Sequence, residues 1–323
     1  MLDDFALFCY NIFNVHFVES MMEQYDAHCG LSAEEIRRNN SDIVRLLSAY
    51  LNLMPTAIDN EMVSDLSSSC GISRAEAYAQ YIAAMAELDV AGEDKTFFRH
   101  WLVPAVRELD SAPYRNDAYF QNIRIPTDVR GKWMLRTQQL RPLEAFVCND
   151  FVITPDRHMI PQIGFFSEAY PYPAVLENGR EWMTLLPNEM VTTYPAINAA
   201  HGRVLTFGLG LGYFAYHAAQ KPEVTSVTVV DISPDVIDLF KTHILPQFPN
   251  REKVRLVCAD AFAFADGQMA GNFDFVFADI WHDAGDGKEL YLKMKAYEQK
   301  HPDIEFTFWL EDTIKCYLDK SLW

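Results

Sequence analysis

The sequence predicts an α/β protein: a Rossmann-like parallel sheet with a shortened C-terminal end, an N-terminal helical domain and an intervening β-hairpin layer. Three observations carry that expectation. Short apolar runs alternate with helical lengths after residue 202, and "GLGLG" joins the first run to an amphipathic stretch. An aspartate, Asp231, Asp260 or Asp279, closes each middle run. Apolar strands separated by helices read as a parallel sheet covered on both faces, and such sheets bind ligands beyond the carboxyl ends of their strands.

Composition narrows the class. A chain of 323 residues, 50% hydrophobic and 13% aromatic, is long enough for two domains with a real core and is not disordered. Its net charge of -18 argues against a nonspecific grip on nucleic-acid phosphates and suits a neutral or cationic small substrate. No nucleic-acid partner is expected. The cysteines, Cys9, Cys29, Cys70, Cys148, Cys258 and Cys316, are scattered without CxxC or zinc-type spacing, so no metal site is expected. The start "MLDDFALF" carries acids where a secretory signal needs positive charge, and no apolar stretch is long enough to span a bilayer. A cytoplasmic protein without a membrane partner is the expectation.

Residues 1–115 read as the helical domain. Apolar residues recur at helical spacing from Leu2 to about Leu109, with a stop at Gly30. Ser32 with Glu35 and Ser73 with Glu76 form two capping boxes, each pairing an N-cap hydroxyl with a carboxylate three residues on. The stretch around Gly71 resembles a helix-turn-helix. Its second helix carries a single basic residue, Arg74, which favours a bundle or dimerisation element over DNA reading.

Residues 116–195 read as the hairpin layer and linker. "EAFVCNDFVITPDRHMIPQIGFF" and "YPYPAVLENGREWMTLLPNEM" each alternate apolar and polar residues, and the second turns at Asn178 and Gly179. Of its aromatics, Phe165, Phe166, Tyr170, Tyr172 and Trp182, most are expected in the core.

Residues 196–323 carry the chemistry. Gly208, Gly210 and Gly212 fall at a strand-to-helix turn, where free N–H groups and the absence of Cβ atoms let a nucleotide-type ligand approach the backbone. Asp231 follows Gly212 by 19 residues, a placement suited to accepting from two ribose hydroxyls. Asp260 is placed to take an adenine amino group. Both acids also suit helix caps.

The span from about Gly202 to Asp312, a third of the chain, resembles class I S-adenosylmethionine-dependent methyltransferases through "LTFGLGLG", "VVDIS", "CADAF" and "FADIW". The resemblance implies S-adenosylmethionine as cofactor and methyl transfer to a small-molecule acceptor. It places Gly208, Gly210 and Gly212 at the methionine end, Asp231 and Ile232 at the ribose, Asp260 and Ala261 at the adenine, and Asp279 and the residues after it facing the transferred group. His282 is the candidate general base, with Asp279 and Asp283 beside it in sequence as catalytic carboxylates. The family's acid before the glycines is replaced by Thr206 and Phe207, so the methionine ammonium needs another partner. Only "TIKCYLDKSLW" follows Asp312, so the sheet is expected to be shortened, completed by the N-terminal half, or covered by another subunit, and an uncovered edge favours a homodimer.

Other readings stay open. The hairpin and helix before the glycines are similar to spermidine synthases, which transfer an aminopropyl group from decarboxylated S-adenosylmethionine, and an acidic chain suits a cationic amine. Here "DIWHD" stands where that family has D-[ST]-[ST]-D-P. A metal-dependent layout through Asp279, Glu311 and Asp312 lacks the Asp-Asn pair that it requires. "GLGYFA" formally fits a dinucleotide fingerprint, but too little chain follows for two mononucleotide halves. A protein that binds a nucleoside ligand without turnover is the non-catalytic alternative.

Overall fold

The alternation after residue 202 closes into a five-stranded parallel sheet in the computed structural model, which describes residues 30–323. The helical reading before Gly30 lies outside those residues. Helices α1 (Ala33–Leu53), α2 (Asn60–Cys70) and α3 (Arg74–Met85) come first, then strand β1 (Val106–Leu109) and the short helix α4 (Ala118–Asn122). Six strands follow: β2 (Asp128–Arg130), β3 (Trp133–Leu140), β4 (Phe146–Ile153), β5 (Met159–Phe166), β6 (Tyr170–Glu177) and β7 (Arg180–Thr184). Helix α5 (Pro187–Ala199) leads into β8 (Gly202–Phe207), α6 (Tyr213–Gln220), β9 (Val224–Asp231), α7 (Pro234–Leu239) and β10 (Val254–Cys258). The chain finishes with α8 (Ala261–Gln268), β11 (Phe275–Ala278), α9 (Lys288–Lys300), β12 (Glu305–Phe308) and α10 (Glu311–Leu318).

The chain divides into two compact units, each with its own core. The first comprises the described residues up to Pro113, with Gln139–Tyr170 and Asp319–Trp323; the second comprises Tyr114–Gln138 and Pro171–Leu318. The segment read as a hairpin layer is thus shared between them.

In the first unit one capping box closes in both directions and the other is shown by its N-cap half. Ser32 closes a reciprocal box with Glu35, and the Ser73 hydroxyl accepts from the Glu76 N–H at 3.1 Å. Gly71 ends α2 in the left-handed conformation, where a Cβ would be strained. The would-be recognition helix α3 buries Ala77, Tyr78, Ala79, Ile82 and Ala83, and Arg74 bonds Glu108, Ser64 and Asn60. The Tyr78 ring stacks on Phe165 at 4.4 Å, and its hydroxyl donates to the Leu143 carbonyl at 2.9 Å.

One stretch departs from the helical reading of this region. Val106–Leu109 is a strand, parallel to β5 in a three-stranded sheet of order β1-β5-β4. Four residues are too few for a period of two to show, and the pairing that fixes them lies more than fifty residues away. The β4–β5 hairpin itself forms as read.

In the second unit the parallel sheet runs β10-β9-β8-β11-β12, so the chain starts in the middle and winds outward both ways. That order creates a switch point beside β8, at the carboxyl ends of β8, β9 and β11. A second sheet, β2-β3-β6-β7, contains the other hairpin. Asn178 and Gly179 both have positive φ, 50° and 80°, as a two-residue hairpin turn demands. Phe165, Phe166, Tyr170 and Tyr172 are buried as expected, whereas Trp182 is 42% exposed. Among the described residues the parallel sheet ends at β12. No described helix is long and apolar enough to cross a membrane.

Candidate functional site

The site is assembled where β8, β9 and β11 end. Gly208, Gly210 and Gly212 all have positive φ, 95°, 48° and 73°, which swings the chain off β8 and starts α6 without a side-chain cap. The Gly208 N–H donates to the Val230 carbonyl at 2.9 Å, and the Leu209 N–H donates to Asp231 Oδ2 at 3.0 Å. The loop is therefore stitched to β9.

The space beside each glycine is taken by the protein itself. A Cβ on Gly208 would lie 1.8 Å from the Asp279 carbonyl oxygen, one on Gly210 2.9 Å from Met183 Sδ, and one on Gly212 2.3 Å from the Phe240 ring. Sequence reasoning assigned that room to a ligand. The left-handed backbone and the close packing of β11, β7 and the turn after α7 require glycine even before a ligand is considered.

Asp231 ends β9. Its second oxygen accepts from the Ser233 N–H at 2.8 Å, and burial pushes its carboxyl above the ordinary range against the pull of these two donors. Ile232, next in sequence, leaves 70% of its surface exposed. Asp260 is exposed and caps α8 through the Ala263 N–H at 2.9 Å, with Ala261 as the first residue of that helix.

A small cavity of about 20 Å³, room for roughly one water, lies between the loop and α5, lined by Met183, Glu189, Thr206, Gly208, Tyr213 and Asp279 among others. Met183 closes it from above. The β6–β7 pairing skips Trp182, a bulge that re-aims its neighbours, and the Leu211 N–H donates to Met183 Sδ at 3.3 Å.

Glu189 is the residue that sequence reasoning missed. It is the one charged residue of α5, it is only 7% exposed, and its contact with the Thr193 hydroxyl is long at 3.5 Å. A lone acid between Leu185, Leu186 and Met190 was the signal available in the sequence. Burial and the nearby Asp279 carboxyl hold Glu189 well above the carboxylate range. Burial, reinforced by Asp231, pushes Asp279 up to about 7. No basic side chain lines the cavity. In sequence, Asn188 and Trp281 flank the pair, and Asn188 Oδ1 and Trp281 Nε1 are buried without a hydrogen-bond partner among the described residues.

Behind the cavity, Asp117 anchors the loop. It caps α4, accepts from the Tyr213 hydroxyl at 3.1 Å and pairs with His217 Nε2 at 3.2 Å, while the Tyr119 hydroxyl donates to the Leu211 carbonyl at 2.6 Å. Burial alone would raise Asp117, but His217 and these donors hold it below the usual range. His217 is thus engaged by the Asp117 carboxylate.

His282 and Asp283 lie on the exposed turn after β11. His282 Nδ1 stands 3.7 Å from Asp283 Oδ2, and its Nε2 is 3.3 Å from the Glu181 carbonyl. Asp283 is also spent on its own turn, accepting from the Gly285 and Asp286 N–H groups. The carboxylate beside His282 is thus present. Contacts among the described residues do not join His282 to the half-buried Asp279.

Residues 204–295 match the family model for a methyltransferase domain. The matched span runs from β8 into α9 and includes the glycine loop, Asp231, Asp260 and Asp279. No curated protein matches the chain. The family match supports an enzyme of the methyltransferase type, and the five-stranded parallel sheet is consistent with a Rossmann-like methyltransferase fold.

Proposed function

We propose that the protein transfers a methyl group from S-adenosylmethionine to a small-molecule acceptor. The observation that carries this reading is the chemistry of the cavity wall. The uncapped start of α6 offers N–H donors and partial positive charge, and Glu189 and Asp279 offer a buried and a half-buried carboxyl. Donors and acids on facing walls complement an α-amino acid, which carries both charges.

In this reading Glu189 supplies the partner for the ammonium that Thr206 and Phe207 lack. Asp231 has a lone pair left on each oxygen for the ribose hydroxyls, Ile232 offers its exposed face to the adenine, and Asp260 and Ala261 border that end. When bound, the cofactor supplies an electrophilic methyl group. The chain's part is to orient the acceptor in line and to take its proton, for which His282, steadied by Asp283, is the candidate base. The net charge of -18 suits an amine as acceptor.

Calorimetric titration with S-adenosylmethionine, its decarboxylated form and NAD tests the reading. Binding is expected to be tightest for the first, because the decarboxylated form leaves the α6 donors unanswered. A preference for the decarboxylated form would move the activity to aminopropyl transfer, and binding of NAD alone would sink the proposal. Asp231→Ala should weaken S-adenosylmethionine binding about a hundredfold by removing a half-buried charged acceptor. Met183→Ala should strengthen it by roughly threefold to tenfold, since the thioether no longer competes for the Leu211 N–H and the space above the loop.

A further inference from the structure

We propose that the cavity between the glycine loop and α5 is an exchange site, in which Glu189 and Asp279 share a proton in the ligand-free protein and surrender it to a compact ammonium-type cation. The inference deepens the cofactor reading and rests on it for the identity of the natural ligand. Its basis is geometric. Two carboxyls line one small space with room for roughly one water, and among the described residues no basic side chain lines it. Glu189 is 7% exposed and holds a single long contact, from Thr193 at 3.5 Å.

A buried carboxylate beside a half-buried one, with no counter-ion in the lining, is too costly to persist, so the site must take up either a proton or a cation. The raised titration of both groups agrees with the proton in the empty state. The ionisable groups facing the pair are Asp231 at the end of β9 and Tyr213 on α6, whose hydroxyl is engaged by Asp117 with His217 behind it. Asp231 adds negative charge and strengthens the pull on a cation. The exchange balances: one cation enters, one proton leaves to the buffer, and the net charge of the cavity is unchanged. An ammonium ion is about the size of the water the cavity admits, and the ammonium of an amino acid is its substituted form.

The sign of the pH effect follows. A carboxyl whose folded-state value is raised binds more protons in the folded than in the unfolded chain. Stability is therefore lost as pH rises from the ordinary carboxylate range through about 7. Melting of the ligand-free protein should fall across that window, less steeply in Glu189→Gln, with Asp279→Asn as the second variant. At about pH 8, ammonium chloride should raise the melting temperature more than choline chloride at equal ionic strength, and the difference should vanish near pH 5 and in Glu189→Gln.

Titration of S-adenosylmethionine at about pH 6 in two buffers of unlike ionisation enthalpy should show close to one proton released, with affinity rising up to tenfold per pH unit. S-Adenosylhomocysteine, which keeps the ammonium but not the sulfonium, should release the same proton if the ammonium is the exchanging cation. 5′-Methylthioadenosine, with neither charge, should release none. Equal melting slopes in wild type and Glu189→Gln, with no preference for ammonium over choline, would overturn the exchange site even if S-adenosylmethionine binds. An ammonium effect without binding of S-adenosylmethionine would leave the exchange site standing and remove the cofactor reading instead.

Discussion

Gly208→Ala is expected to destabilise the second unit by about 4 kcal/mol, combining the cost of a left-handed backbone for a non-glycine residue with a clash that backbone must move to relieve. The added Cβ would lie 1.8 Å from the Asp279 carbonyl oxygen at a φ of 95°. No side chain can rotate out of the way, because the obstructing atom belongs to the end of β11, whose Asp279 N–H is bonded to the Phe207 carbonyl at 2.9 Å. The measurement is the denaturant midpoint of the variant beside Gly179→Ala. Gly179 has a φ of 80° but nothing within 4 Å of its would-be Cβ. That control should lose only about 1 kcal/mol, from the backbone conformation alone. Similar losses at both positions would mean that the approach of β11 to the loop is looser than the geometry states.

Asn40→Ala should cost the first unit a comparable amount, about 4 kcal/mol, through four bonds, three of them buried, that have no substitute. Asn40 Nδ2 donates to the carbonyls of Arg157 and Leu322 at 3.0 and 2.9 Å, and Oδ1 accepts from Trp101 Nε1 and the Met159 N–H at 2.9 and 2.8 Å. A single side chain thus ties α1, the helical turn at Trp101, the β4–β5 hairpin and the end of the chain. The His158 ring stacks on Trp101 at 3.9 Å, and burial lowers its titration to about 4, so a neutral imidazole belongs to the same cluster. Asn40→Asp should be no milder than alanine, since a carboxylate cannot donate to the two carbonyls. Unfolding curves with hydrogen exchange near Leu322 would check this, and protection there that survives either substitution would contradict the clamp.

The parts of the molecule that were legible in the sequence are those set by local rules. The alternation after residue 202 gave five parallel strands, Ser32 and Ser73 gave their helix starts, and Asn178 with Gly179 gave its turn, because period, cap and turn chemistry act within a few residues. The positions of Asp231, Asp260 and Asp279 at strand ends were readable for the same reason. Glu189 was not: a helix before the first strand of the sheet meets the carboxyl end of the fourth only when the sheet winds from the middle outward.

The amino-acid pattern by itself therefore determined the element types, the parallel sheet, and the cluster of strand-end acids beside a glycine turn. Only the tertiary structure decided that Val106–Leu109 is a strand, that protein atoms fill the space beside the glycines, and that Met183 and Glu189 wall the cavity. The physical reason is the range of the forces involved. Hydrogen-bonded periods and caps are written over neighbouring residues, whereas packing against a glycine and the burial of a carboxyl depend on atoms brought together from distant parts of the chain.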